Sequence, residues 1–284
     1  MRVLLVCLAN QLDFAYISSM GYVFSANDAH NYQKWLADEG NKVVLGLETR
    51  LMTSLLRPVC GDSLLDVGCG TGESIKPFLG KGINLTGIDP SPHMLEIARQ
   101  SLGHRVDFHR GYAEDLPFQD NAFNYVSLFL TLEFASDPEE AIAEACRVAK
   151  DSVFIGILNK HSTYVSRLRV SRFFKDSIYR HVRFFSIEEI RQILINHIGH
   201  VPFSWKTVLQ FPGSSRRFLY WLEAAGYLEK SPFGAFAGIR VLPVPKLQAM
   251  PITLKARMEQ TTSSRNRVAS CSEYQQDKIK AGKR

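Results

Sequence analysis

The stretch Leu64 to Ser74, LLDVGCGTGES, restricts the fold of this chain more than any other. A short apolar run carries an acidic residue, Asp66, near its end, and glycines follow at positions 68, 70 and 72. Glycine permits the positive φ and the close backbone approach of a tight turn. The segment therefore reads as a strand running into a loop that a ligand can approach. Ser63 to Val67 is mostly apolar, as a strand covered on both faces of a parallel sheet must be, and Gly61-Asp62 supplies the turn before it.

Helical and strand patterns alternate around this segment. Upstream, Val44, Leu47, Leu51 and Leu55 recur at three- and four-residue steps, which predicts a helix from Asn41 to Leu56. Downstream, the pattern predicts a helix from Glu73 to about Leu79, broken near Pro77, and a second strand from Ile83 to Ile88. Ser91 then caps a helix that begins at Pro92 and ends near Leu102-Gly103. Val106 to His109 and Asn124 to Leu130 read as the next strands. Asp137 and Glu140 have capping-box spacing and open a helix that reaches Lys150, followed by a fifth strand from Val153 to Leu158. Ser186-Ile187-Glu188-Glu189 starts another capped helix, and the segments Phe203 to Phe211 and Phe233 to Val241 complete the sheet as an antiparallel pair. Such alternation implies right-handed βαβ units in a doubly wound α/β sheet. Ligands of such sheets bind beyond the carboxyl ends of the strands.

A chain of 284 residues, 45% apolar and 22% charged, can bury one large core. The reading divides it into an N-terminal extension (1–24), a main domain (25–245) with a helical insertion at about 160–185, and a basic tail (246–284). From Lys255 onward eight basic residues stand against three acidic ones, so +5 of the net +6 lies in residues 255–284 and residues 1–254 carry +1. The tail reads as disordered and solvated. The arginines of the insertion alternate with Leu168, Val170, Phe173 and Phe174, the pattern of an amphipathic helix with a wet basic face. The opening apolar run is a poor signal sequence and far short of the roughly 20 residues of a membrane helix. The five cysteines are scattered without a CxxC pair, which points away from a disulfide framework or a metal site. Free thiols fit the cytoplasm.

The glycine spacing carries the chemistry. Dinucleotide sites use G-x-G-x-x-G and aim the N–H groups of a helix at a pyrophosphate. Here the spacing is G-x-G-x-G with Asp66 close by, and a carboxylate repels phosphate. It suits a ligand that carries an ammonium group. The loop resembles motif I of class I S-adenosylmethionine (SAM) dependent methyltransferases. Ile83 to Asp89 followed by Pro90-Ser91-Pro92-His93-Met94-Leu95 is similar to the second-strand motif of that family. Gly111 to Phe118, GYAEDLPF, resembles the GDAExLPF loop of the type 11, ubiquinone/menaquinone-biosynthesis-like branch. Leu130 to Pro138 is similar to ALEHVxDP, and Tyr32-Gln33-Lys34-Trp35 with Gly40 and Glu48 resembles the lead-in YDxWF…G…E. Two positions depart from the pattern. Tyr112 stands where the family has an acidic or amide side chain, and Ala149-Lys150-Asp151-Ser152 replaces Lys-Pro-Gly-Gly, so a different loop is expected before the same strand.

The resemblance implies a Rossmann-like, mostly parallel, seven-stranded sheet with an antiparallel last strand, and SAM as cofactor. It carries over the cofactor-binding residues Asp66, Gly68, Cys69, Gly70, Gly72, Asp89, Pro90, Met94, Tyr112, Ala113, Glu114 and Leu130. Asp66 would hold the ammonium and Asp89 the ribose diol, a carboxylate being able to accept two hydrogen bonds at once. Met94 would lie along the adenine, the Ala113 N–H would meet the adenine edge, and Leu130 would pass beside the sulfonium. Tyr32 and Trp35 either shield the site or anchor their helix. No metal is implied. The expected acceptor is a small, partly apolar metabolite methylated at O, N or C. The alternatives are an RNA or protein methyltransferase, opposed by the near-neutral body of the chain, and a non-catalytic SAM-binding regulator. No nucleic-acid partner and no transmembrane segment are expected. His93, His161, His181 and Tyr32 are candidate bases, none of them assigned a catalytic role, and the oligomeric state stays open.

Overall fold

The computed structural model describes residues 21–162, 164–166, 182–210 and 229–243. Residues 1–20, most of the insertion and the basic tail lie outside the described residues. The elements in chain order are α1 (Ala26–Ala37), α2 (Glu39–Leu56), β1 (Ser63–Val67), β2 (Asn84–Asp89), α3 (Pro92–Leu102), β3 (Asp107–Arg110), β4 (Phe123–Phe129), α4 (Pro138–Val148), β5 (Ala149–Leu158), α5 (Ile187–His197), β6 (Phe203–Val208) and β7 (Phe236–Val241). The helix starts follow their caps. Ser91 accepts from Met94 N, Asp137 from Glu139 N and Glu140 N, and Ser186 with Glu189 forms a reciprocal capping box.

The strands form one seven-stranded sheet in the order β3-β2-β1-β4-β5-β7-β6. The first five pair in parallel, and β7 runs antiparallel to both of its neighbours. This is the expected mixed sheet, with its carboxyl edge assembled from the ends of β1, β2, β4 and β5.

Each face of the sheet buries its own core. On one side Leu65, Val67, Ile88, Val126, Leu128 and Ile155 pack with Ala141, Ile142 and Ala145 of α4 and with Ile190 and Leu194 of α5. On the other, Leu64, Leu85, Phe154 and Phe236 pack with Leu51, Met52 and Leu55 of α2 and with Leu95 of α3. Phe154 and Phe236 are fully buried. They close over Gly156, where an added Cβ would lie 2.7 Å from Phe236 Cζ and 2.9 Å from Phe154 Cε1.

Three expectations need correction. The helix expected from Glu73 to Leu79 is absent; turns lead instead to one 3-10 turn, Lys76–Phe78. Pro77 lacks the N–H that an α-helical bond back to Glu73 requires, and the bonds formed are of the tighter kind, Phe78 N to Ile75 O at 2.9 Å and Leu79 N to Lys76 O at 3.2 Å. The loop expected at Ala149 to Ser152 is also absent. Without the Pro-Gly break, Ala149 is extended (φ −84°, ψ 133°) and α4 passes directly into β5. Finally, Cys69 and Cys146 are free and buried, but Cys60 is disulfide-bonded.

The packing at Gly156 leaves no space for a methyl group. Gly156→Ala is expected to destabilise the protein by about 1–3 kcal/mol through overpacking, measured by urea unfolding. An unchanged midpoint would contradict this view of the core.

Candidate functional site

The glycine turn begins where β1 ends. Gly68 N and Cys69 N both donate to Ile88 O, at 2.8 and 3.1 Å, which folds the turn against the end of β2. Gly68 has φ +70°, and a Cβ there would lie 2.5 Å from Thr131 Cγ2. That residue's hydroxyl donates to Val67 O at 2.6 Å, fixing the loop after β4 over the turn. Gly70 differs. At φ +51° its Cβ direction meets nothing within 4 Å, so this backbone faces open space. Gly72 closes the turn with its N–H on Cys69 O at 2.8 Å.

Asp66 and Asp89 stand on the same side of the sheet. Asp66 pairs with Gly87 in the β1–β2 register, and alternate residues of a strand share a face, so Asp89, two residues on, faces the same way. Asp66 is 1% exposed. Its Oδ2 accepts from the Ser74 hydroxyl, whereas its Oδ1 is buried without a hydrogen-bond partner among the described residues. Burial pushes its pKa up to about 7, the Ser74 hydroxyl and the nearby Ser127 hydroxyl, whose own hydrogen bond goes to Met52 Sδ at 3.4 Å, pull it down, and the charge of Asp89 adds to the rise. Asp89 accepts from Gly70 N at 2.8 Å and from Ser91 N at 2.8 Å. Burial raises its pKa as well, against the pull of those two N–H groups. A carboxylate has about four acceptor positions, so two remain for a ligand.

The other candidates lie around these two. Cys69 is buried, its Sγ so near β2 that a Cβ on Gly87 would lie 2.8 Å from it. Burial, Asp89 and Asp66 together hold its thiol well above the usual range, so it is a packing group and a poor nucleophile. Met94 is buried in the first turn of α3, and Pro90 is partly exposed beside it. Ala113 is buried, with Tyr112 exposed next to it. Glu114 Oε1 accepts from Ser136 N (2.8 Å), Ser136 Oγ (2.7 Å) and Asp137 N (3.2 Å), which joins the loop after β3 to the loop after β4. Leu130 turns with φ 54° and donates its N–H to Gly156 O at 3.0 Å.

The lead-in crosses this edge of the sheet. Tyr22 N donates to Phe134 O at 2.9 Å, and Ser91 Oγ donates to Phe24 O at 2.6 Å. Residues from the expected extension thus bridge the loop after β4 and the start of α3. Farther along, Tyr32 and Trp35 stack with ring centroids 5.7 Å apart. Burial, and after it the charges of Glu48 and Glu73, raise the Tyr32 hydroxyl well above the usual range. His93 and His161 are exposed, and His181 lies outside the described residues.

Ser74, Thr131, Glu48 and Glu133 shape the site without having a role in the sequence reading. Glu48 was detectable, because it falls four residues after Val44 and four before Met52, inside the buried stripe of α2. Glu133 gave no periodic sign, though it is the acidic position of the stretch similar to ALEHVxDP; its partner, Leu158 N, lies 25 residues away on β5.

Comparison with known proteins agrees with this geometry. A family model described as a methyltransferase domain matches residues 65–155, from β1 to β5. An uncharacterized protein of Methanocaldococcus jannaschii is 33% identical over 168 residues, covering 58% of this chain and 76% of that protein. A demethylmenaquinone methyltransferase of Renibacterium salmoninarum is 36% identical over 101 residues, and the match spans 36% of this chain and 42% of that enzyme. Among solved structures, a SAM-dependent methyltransferase of Thermotoga maritima, a possible histamine N-methyltransferase, shares the fold with a TM-score of 0.59 at 24% identity, over 76% of this chain and 96% of that one. Magnesium protoporphyrin IX methyltransferase of Synechocystis, solved with bound S-adenosylhomocysteine (SAH), has a TM-score of 0.56 at 13% identity, over 83% and 100% of the two chains. Fold, glycine turn and family match converge: the chain belongs to the class I SAM-dependent methyltransferases, in the type 11 methyltransferase-domain family.

Proposed function

We propose that this enzyme methylates a small, partly apolar metabolite at O, N or C, with the cofactor lying over the glycine turn between Asp66 and Asp89. The observation that carries the reading is the unpartnered Oδ1 of Asp66, buried beside a turn whose Gly70 faces open space. An ammonium group satisfies that oxygen where a phosphate would be repelled. The two free acceptor positions of Asp89 fit a cis-diol. Met94 and the Ala113 N–H remain the proposed adenine contacts, with Pro90 and Tyr112 at its margin. Leu130 is the proposed neighbour of the reacting methyl.

When bound, SAM supplies a methyl group on a sulfonium, an electrophile with a good leaving group. The chain then has to align the acceptor and exclude water, which lowers the barrier without further chemistry. The lead-in across the carboxyl edge, with Tyr32 and Trp35, is suited to covering the site. Relatives named demethylmenaquinone methyltransferase support a small acceptor with apolar character. The net charge of only +1 on residues 1–254 speaks against a nucleic-acid substrate. Among the described residues no helix is long and apolar enough to cross a membrane. A cytoplasmic location is supported by free Cys69 and Cys146 and opposed by the bonded Cys60.

Calorimetry with SAH tests the site. Wild type is expected to bind, and Asp89→Ala to lose affinity by about 100-fold or more, since two hydrogen bonds to a charged group are removed. Retained affinity in that variant would overturn the assignment. Asp66 adds a pH dependence. Its pKa is about 7, so the carboxylate is neutral below that pH and charged above it, while the ligand keeps its ammonium. SAH affinity should therefore rise by up to about 10-fold between about pH 6 and 8. In Asp66→Asn that rise should be lost, and an equal rise in both proteins would remove Asp66 from the site.

A further inference from the structure

Two buried acids at the carboxyl edge stand outside the cofactor contacts. Glu133, in the loop after β4, is 2% exposed, and Glu48 of α2 is 4% exposed. Glu133 Oε1 accepts from Leu158 N at 2.7 Å, so its carboxyl joins the ends of β4 and β5, the part of the edge next to the glycine turn of β1. Its backbone is held too, with Arg183 N donating to Glu133 O at 3.0 Å. Its second oxygen, Oε2, is buried and has no hydrogen-bond partner among the described residues.

Glu48, on α2, is close enough for the charge of Glu133 to act on it. Tyr32 of α1 interacts in turn with Glu48 and with Glu73, the residue directly after the glycine turn. Burying two carboxyls together is costly unless a proton or a ligand separates their charges.

We propose that Glu133 is a catalytic base that receives the proton of an N–H or O–H methyl acceptor bound between Glu133 and Glu48, with Glu48 as the positioning residue. This rests on the cofactor site proposed above. As the acceptor atom bonds to the methyl carbon, the methyl–sulfur bond breaks and its electron pair stays on sulfur, while the acceptor's proton passes to Glu133 Oε2. The acceptor class narrows accordingly to amines, amides, phenols and alcohols.

The two carboxyls divide the roles. The Leu158 N–H favours ionised Glu133, whose pKa burial still pushes up to about 7. Among the described residues Glu48 has no comparable donor, and burial with the charge of Glu133 pushes it up to about 8, so at neutral pH it holds the proton. Two charged groups of the adjoining segments are engaged elsewhere among the described residues. Lys160 is paired with Glu189, and the Arg183 guanidinium lies over the Phe185 ring at 5.1 Å.

Sinefungin tests the proposal without a known acceptor, because it places an amine on the carbon that replaces the methyl-bearing sulfur. Its affinity and that of SAH are to be measured by calorimetry for wild type, Glu133→Gln and Glu48→Gln. Glu133→Gln should weaken sinefungin by at least about 10-fold and leave SAH within about 2-fold; Glu48→Gln should act in the same direction, more weakly. Equal losses for both ligands, or an unchanged sinefungin affinity, would overturn the proposal. Wild type gives a second readout that needs no variant. Its sinefungin-to-SAH affinity ratio should rise severalfold between about pH 6 and 8 as Glu133 ionises, and a flat ratio would overturn the proposal as well. Failure of wild type to bind SAH at all is a different result: it would reject the cofactor site, and the proposal with it.

Discussion

A carboxylate buried at the end of β1 is the constraint around which the site is arranged. Asp66 has one oxygen bonded to Ser74 and the other without a partner among the described residues. That is an expensive condition for an ionisable group, and it raises the pKa to about 7. A cationic ligand relieves the condition and an anionic one aggravates it. The glycine turn adds to the selection. Gly68 N and Cys69 N are used on Ile88 O, and Gly70 N on Asp89, so the turn keeps these donors for its own fold. No α-helix follows it. The α-helix terminus of a phosphate cradle is therefore missing where the dinucleotide folds have it.

Much of this was legible in the sequence because the determinants are local. Caps at Ser91, Asp137 and Ser186 lie within a few residues of the donors they satisfy, and each formed. The strands that cross the middle of the sheet are short apolar runs between turn residues, and they lie where the alternation put them. The glycine spacing and the two aspartates were likewise readable. The failures have physical causes of two kinds. At Pro77 the helical pattern competed with a missing N–H and lost. At Ala149 the absence of a breaker let α4 continue into β5.

The acids gave a third kind of difficulty. Glu48 sits in a stripe that periodicity marks as buried, but its meaning depends on Glu133, 85 residues later in sequence. Contacts that depend on the fold, such as Thr131 on Val67 O and Glu133 on Leu158 N, leave no periodic trace. The lead-in belongs to the same group. Tyr22 and Phe24 read as part of an extension, yet their backbones are bonded to the loop after β4 and to the start of α3, and their rings pack with Phe134. Chain before the main sheet thus helps to cover the edge where the chemistry is proposed.

The most direct test of the account is a crystal structure of the protein with SAH. The account predicts the ligand's ammonium within hydrogen-bonding distance of Asp66 Oδ1, directly or through one water, and its ribose hydroxyls on Asp89. A ligand bound away from these two carboxylates, or Asp66 still unpartnered in the complex, would contradict it.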